Sequence, residues 1–359
     1  MGGGEVRGRR LHAQRITHHT LKKPGDVVRW LGAVQAQDYH GSLWALGLRL
    51  PDATVTDIER AIAEKEFIRT SFMRGTVHLL PPEDIRWMLR LMAPRIRSLI
   101  NNTARSHKLG LTEEIYEKSN VVIADALAGG NALTRPELGV VLTRAGIDAS
   151  GLRGALIPQR ALADGVICYA TRRGGKSMLV LLEEWAPPGA MLEGDDALAE
   201  FARRYFRSHG PATDRDYSWW SGLTLTDARR SLAMIDREFA HEIIDGETFR
   251  FSASEGAPTD IAGMAHLLPN YDEYIVGYKN RDVVFDPSHA KRLDARGNIL
   301  FNHTIAIGGQ IVGTWKRIVK KGGVRVVPDL FRALKPAERG ALAEAVERYG
   351  RFLEMPADC

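Results

Sequence analysis

Apolar positions recur with a helical period early in the chain. Val27, Trp30, Leu31 and Val34 fall on one face of a 3.6-residue repeat. Pro24-Gly25-Asp26 precedes them as a start signal, with Asp26 as the expected N-cap. A second helix is expected from Thr56 to Lys65, carrying Ile58, Ala61 and Ile62 inward. The pattern then turns strand-like at 67–72, breaks at Gly75 and returns at 76–80. Helices followed by a two-stranded hairpin have the layout of a winged helix.

The same order comes back twice. Residues 112–127 read as a helix stopped by Gly129-Gly130. Thr134, Pro136 and Glu137 form a capping-box start, and Gly146 ends that helix. A helix over 152–163 leads into strands at 166–170 and 177–182, joined by a basic, glycine-rich turn. The third set has helices over 195–208, from Thr213 through Trp219-Trp220, and from Thr224 or Thr226 to Met234. A hairpin at 239–251 follows, with an Asp245-Gly246 turn. Beyond it, 273–286 is rich in Tyr, Val and Ile. Residues 298–312 alternate like strands around Gly308-Gly309. Strands at 314–319 and 324–327 flank Lys320-Lys321-Gly322-Gly323, and 336–352 reads as a closing amphipathic helix. The expected fold is α+β: three tandem winged helices at 1–108, 109–190 and 191–259, then a β-rich C-terminal domain with a closing helix at 260–359.

Composition narrows the function classes. The chain has 359 residues, 44% hydrophobic and 26% charged, enough for a sizeable core without staples. Two cysteines, Cys168 and Cys359, exclude a disulfide framework and a Cys-rich zinc site, and fit a reducing cytoplasm. No run of about 18 apolar residues argues for a membrane span, and the N-terminal MGGGEVRGRR lacks the apolar core of a signal peptide. The motifs HExxH, GxSxG and GxGxxG are absent. Gly175-Lys176-Ser177 imitates the end of a P-loop, but Ala170 stands where the first glycine is needed. His18-His19 adjoins no carboxylate cluster, so neither a metal nor a cofactor is expected.

Net charge is +5, and its distribution is uneven. Residues 86–108 carry Arg86, Arg90, Arg95, Arg97, Arg105 and Lys108 with no acid. Residues 316–325 carry Lys316, Arg317, Lys320, Lys321 and Arg325 with no acid, whereas 183–200 holds six acids and no base. Such segregation suggests one face for phosphates and another for solvent.

One segment offers chemistry. In Ala33-Val34-Gln35-Ala36-Gln37-Asp38, two glutamines flank a small apolar residue. On a helix, side chains two apart point away from each other; in an extended segment they share a face. Gln35 and Gln37 can therefore converge on one small ligand only if the helix ends here, and Asp38-Tyr39-His40-Gly41 is the expected end. Around the hairpin glycine Gly75, Arg74 and His78 either bind phosphate or satisfy the local backbone. Trp219-Trp220 reads as core packing, and Asp272 as structural.

Together, Gln35-Ala36-Gln37 and Phe72-Met73-Arg74-Gly75-Thr76-Val77-His78 resemble the winged-helix family of AlkZ-like DNA glycosylases. The resemblance continues through Gly210-Pro211-Ala212-Thr213, Trp219-Trp220-Ser221-Gly222-Leu223 and Leu267-Leu268-Pro269-Asn270-Tyr271-Asp272-Glu273-Tyr274, nearly the whole chain. It implies winged helices forming a basic channel around duplex DNA. It further implies action on bulky N7-alkylated purines and interstrand crosslinks, with Gln35 and Gln37 as the catalytic pair. A sister subgroup has aspartate where this chain has Gln37. An N7-alkylated purine is already cationic and leaves readily, so two amides that hold and aim a water suffice in principle. The resemblance and the charge pattern make Arg69, Arg74, His78, Lys316, Arg317, Lys320, Lys321 and Arg325 the expected DNA contacts, in a cytoplasmic monomer. The alternative is a non-catalytic winged-helix transcriptional regulator, which would not need the glutamine pair.

Overall fold

The computed structural model describes residues 1–255, 260–293 and 297–359. The chain divides into two compact units, Met1–Ile58 with Ala199–Cys359, and Glu59–Leu198. The expected boundary after residue 259 falls on residues outside those described.

In the second unit a 22-residue helix, Ile85–Ser106, buries Trp87, Met88, Met92, Ile96 and Ile100. It packs against the helix Arg153–Ala163. The hairpins Ile68–Ser71/Val77–Leu80 and Ile167–Arg173/Lys176–Leu181 form where the alternation placed them. They do not stand apart: Arg69 pairs with Tyr169 across antiparallel strands, joining both hairpins in one sheet. Thr134 and Glu137 make the expected capping box.

The basic run at 86–108 differs from its expected role. Arg86 and Arg90, one turn apart on this helix, pair with Glu183 and Glu193 of the acidic run, and Arg97 pairs with Asp164 at 2.7 Å. The two runs thus meet and neutralise each other in part, rather than occupying opposite faces.

The first unit holds a five-stranded sheet in the order Ala357–Asp358, Gly323–Leu330, Gln310–Lys320, Thr304–Ile307, Ala265–Leu268. The helix Pro336–Phe352 spans the predicted residues and packs on this sheet. Trp44, Trp315, Tyr349 and Phe352 form a ring cluster there, with centroids 4.9–5.1 Å apart. The hairpin Ala240–Ile244/Glu247–Phe251 follows the helices Asp214–Ser221 and Leu225–Ile235, capped by Thr213 and Thr224.

Several local details depart from the sequence pattern. Residues 3–13 form a helix despite their glycines. Asp26 sits at the third helical position and accepts from the Lys23 N–H, rather than being the N-cap. Thr54, not Thr56, exchanges hydrogen bonds with Asp57 at the next start. The Tyr-, Val- and Ile-rich stretch from 273 opens as a short helix, Glu273–Val276, because Asp272 caps it through the Tyr274 N–H.

Two buried histidines, His78 and His266, and the half-buried His303 set a pH limit. Burial pushes His78 and His266 down to about 3 and His303 to about 4, from an ordinary 6.5. Each is neutral when folded and gains a proton more readily when unfolded. Their contribution to stability is complete above about 6.5 and is lost as pH falls from there to about 4 for His303 and about 3 for His78 and His266. Thermal melts are expected to show a falling Tm between pH 6.5 and 4.5, a window above the lowered carboxylates Glu113 and Glu338, each at about 2. A flat Tm across that window would contradict this.

Candidate active site and nucleic-acid interface

The helix Pro24–Leu31 stops at Gly32, whose φ of 79° favours glycine. A Cβ there would also lie 3.3 Å from Arg204 Cβ. The chain then runs through a two-residue strand, Val34–Gln35. Ala33, Val34 and Ala36 are fully buried, Gln35 is 6% exposed, and Gln37 is exposed. The glutamines therefore lie outside any helix, as convergence requires. The anchors are the apolar residues between and before them. The expected helix end at 38–41 is instead a helix start. Asp38 accepts from the Gly41 N–H at 3.0 Å and caps Tyr39–Gly47. Gly41 is needed because a Cβ would sit 2.7 Å from Asn270 Oδ1.

Beneath this segment lies a buried polar network. The Gln35 backbone N–H donates to Glu273 Oε1 at 2.9 Å. Trp220 Nε1 donates to Glu273 Oε2 at 2.8 Å, and His209 Nε2 lies 3.3 Å from the same oxygen. Gln14 Nε2 donates to the Glu273 carbonyl at 3.2 Å and to Tyr278 Oη at 3.0 Å. Next to Glu273, Asp272 accepts a two-pronged bond from Arg49 at 2.9 and 3.0 Å, both side chains being wholly buried. Arg49 also bonds the Gln14 carbonyl, Gln14 Oε1 and the Ala45 carbonyl, so every N–H of the guanidinium is used.

Trp220 is core, as expected, and Trp219 Nε1 donates to the Val276 carbonyl. Glu273, His209, Gln14 and Arg49 escaped the sequence reading. The only sequence signal was that Glu273 lies in a quoted motif. Nothing in spacing joins residue 35 to 273.

Asn270 N donates to His303 Nδ1 at 3.0 Å, which leaves the ring proton of the neutral imidazole on Nε2. The His303 ring packs on Trp315, whose Nε1 donates to the Leu268 carbonyl. These contacts root the hairpin Gln310–Lys320/Gly323–Leu330. Its register pairs Lys316 with Val327, Ile318 with Arg325 and Lys320 with Gly323. Alternation puts Lys316, Lys320 and Arg325 on one exposed face, with Lys321 in the turn. Arg317 belongs to the other face and donates to Tyr349 Oη at 3.1 Å, so part of its bonding capacity goes inward. No ion pair among the described residues involves Lys316, Lys320 or Lys321.

The remaining candidates belong to the second unit. Arg69 Nη1 donates to Ser177 Oγ at 3.1 Å, with its guanidinium over the Tyr169 ring. Arg74 is half-buried in a tight turn with φ 57°. His78 is fully buried beside Phe72, and its Nδ1 lies 3.0 Å from the Thr76 carbonyl. Its ring packs inside the unit rather than facing solvent.

Comparison with known proteins shows the family of the chain. The chain is 28% identical over 353 residues to an interstrand DNA cross-link repair glycosylase of Streptomyces sahachiroi, covering 92% of both proteins. The solved structure of the DNA glycosylase AlkZ from that organism superposes with a TM-score of 0.81 over the whole of both chains, at 22% identity. A family model described as DNA glycosylase AlkZ-like matches residues 28–352. That span takes in the Gln35–Gln37 segment, Glu273 and the basic hairpin, and the chain belongs to the AlkZ-like family of DNA glycosylases.

Proposed function

We propose that this glycosylase hydrolyses the N-glycosidic bond of bulky N7-alkylated purines in duplex DNA, crosslinked ones included. The observation that carries the reading is the non-helical segment at 33–37, with its short strand Val34–Gln35. It takes two glutamines out of helical register and holds one of them by its backbone. Water adds to the sugar C1′ as the bond to N9 breaks; the electron pair neutralises the cationic base, and the surplus proton passes to solvent. Neither amide needs to accept that proton. Their contribution is to aim the water and to present carbonyl dipoles to the oxocarbenium-like sugar. Activity on undamaged bases, which are poor leaving groups, is then low. The name of the Streptomyces relative supports crosslinks as substrates. Family membership leaves no observation in favour of the regulator.

The winged-helix hairpins, Arg69, Arg74 and the exposed hairpin cations are the proposed duplex contacts. His78 is proposed to act through the packing of its strand. Incubation with a panel of N7-alkylated and crosslinked duplexes, followed by alkaline cleavage at abasic sites, tests the activity. Release from none of them would sink the proposal.

The hairpin carries its own prediction. Each phosphate contact adds about 0.9 to the slope of log affinity against log salt. Replacing Lys320 and Lys321 by alanine is expected to lower that slope by roughly one to two units. Affinity should fall alike for damaged and undamaged duplexes, because phosphates carry no lesion information. Titrations across several salt concentrations measure it, and an unchanged slope would make the hairpin a solvated turn.

A further inference from the structure

Glu273 is 1% exposed, yet it carries a carboxylate. A buried carboxylate is tolerated only when its oxygens are satisfied. Here Oε1 accepts from the Gln35 N–H, and Oε2 accepts from Trp220 Nε1. With its proton on Nε2, His209 is a third donor; its Nδ1 lies 2.8 Å from Ser208 Oγ. The Glu273 main chain is itself held by Gln14 through the carbonyl. Three elements therefore meet at this carboxylate, which the short helix Glu273–Val276 carries: the helix Gly194–His209, the helix Asp214–Ser221 and the strand Val34–Gln35.

Gln35 lies in the short strand Val34–Gln35, beyond the helix that ends at Leu31, where its N–H is turned towards the Glu273 carboxylate. Rotation about that peptide would swing the Gln35 side chain and, two residues on, the exposed Gln37. We propose that Glu273 is a positioning residue for the excision reaction, acting through the Gln35 backbone to set where both amides point. This rests on the reading of Gln35 and Gln37 as the catalytic pair.

A misplacement of about 1 Å costs on the order of 100-fold in rate. Glu273→Gln keeps the shape but loses the charge, and its NH2, a donor, must face either the Gln35 N–H or the Trp220 and His209 donors. In single-turnover excision its rate is expected to fall about 10- to 100-fold on that basis, while duplex affinity stays unchanged. Hydrogen exchange should quicken in peptides covering 33–37 and not across 310–330. A merely structural role would leave the rate of the folded variant intact, or lower affinity in step with rate. Either result overturns the proposal.

If Glu273→Gln fails to fold, Trp220→Phe removes one donor to the carboxylate and keeps an aromatic ring in the core. Its rate should fall by roughly threefold or more at unchanged affinity, the lower end of such displacement effects; a wild-type rate overturns the proposal. Wild-type excision by Gln35→Ala would sink the catalytic pair itself. An inactive Gln35→Ala beside a fully active Glu273→Gln sinks only the role of Glu273.

Discussion

Excision of an N7-alkylguanine from duplex DNA is expected to fall by about 10²- to 10³-fold in Gln35→Ala or Gln37→Ala, the usual loss when one preorganised polar group is removed. The double variant should show no release above spontaneous depurination. The fold should survive both changes. The bond that holds residue 35 runs from its backbone N–H to Glu273, and alanine retains that N–H. Gln37 is exposed, so shortening it leaves no hole in the core. Duplex affinity should also persist, because the exposed hairpin cations are untouched. Excision assays beside salt-matched binding titrations separate these effects. A double variant with wild-type release would remove the catalytic assignment altogether.

The largest expected loss of stability lies at Arg49 and Asp272. Both side chains are wholly buried, and all the guanidinium N–H groups are bonded. Removing one partner of a buried pair strands the other charge, at a cost of about 3–5 kcal/mol. Arg49→Ala strands Asp272, and Asp272→Ala strands Arg49 while also removing the cap of Glu273–Val276. At roughly 2–4 °C per kcal/mol for a unit of this size, Tm should drop by about 10 °C. A double replacement by apolar residues should cost less than the sum of the two single changes, because neither charge is then left alone. Calorimetry on the three variants measures this; full additivity would mean that the pair is not coupled. Because Asp272 adjoins Glu273, either single change should also slow excision at temperatures where the fold persists.

How far the sequence could be read depended on the range of the interactions involved. Helix starts at Thr134, Thr213 and Thr224 and the closing helix at 336–352 rest on contacts within a few residues, so composition and spacing revealed them. The hairpins at 68–80, 167–181, 240–251 and 310–330 likewise follow from short-range alternation and turn residues. The quoted motifs pointed to the glutamine pair, and the need for an extended segment there follows from side-chain geometry alone. Pairing between distant positions was invisible. Arg86 and Arg90 looked like a free basic run until Glu183 and Glu193 came to lie beside them. Arg317 looked equal to Lys316, although strand alternation turns it towards Tyr349. His78 looked like a phosphate ligand, yet it lies inside the second unit. The buried acids Asp272 and Glu273 gained their roles from Arg49, Gln14, His209, Trp220 and Gln35, residues scattered from 14 to 220. The local pattern determined most of the elements, though not the helices Gly3–Ala13 and Tyr39–Gly47, and which residues could do the chemistry. Tertiary folding decided which charges are already neutralised and what holds Gln35 in place, because hydrogen bonds and ion pairs depend on proximity in space, which separation along the chain does not encode.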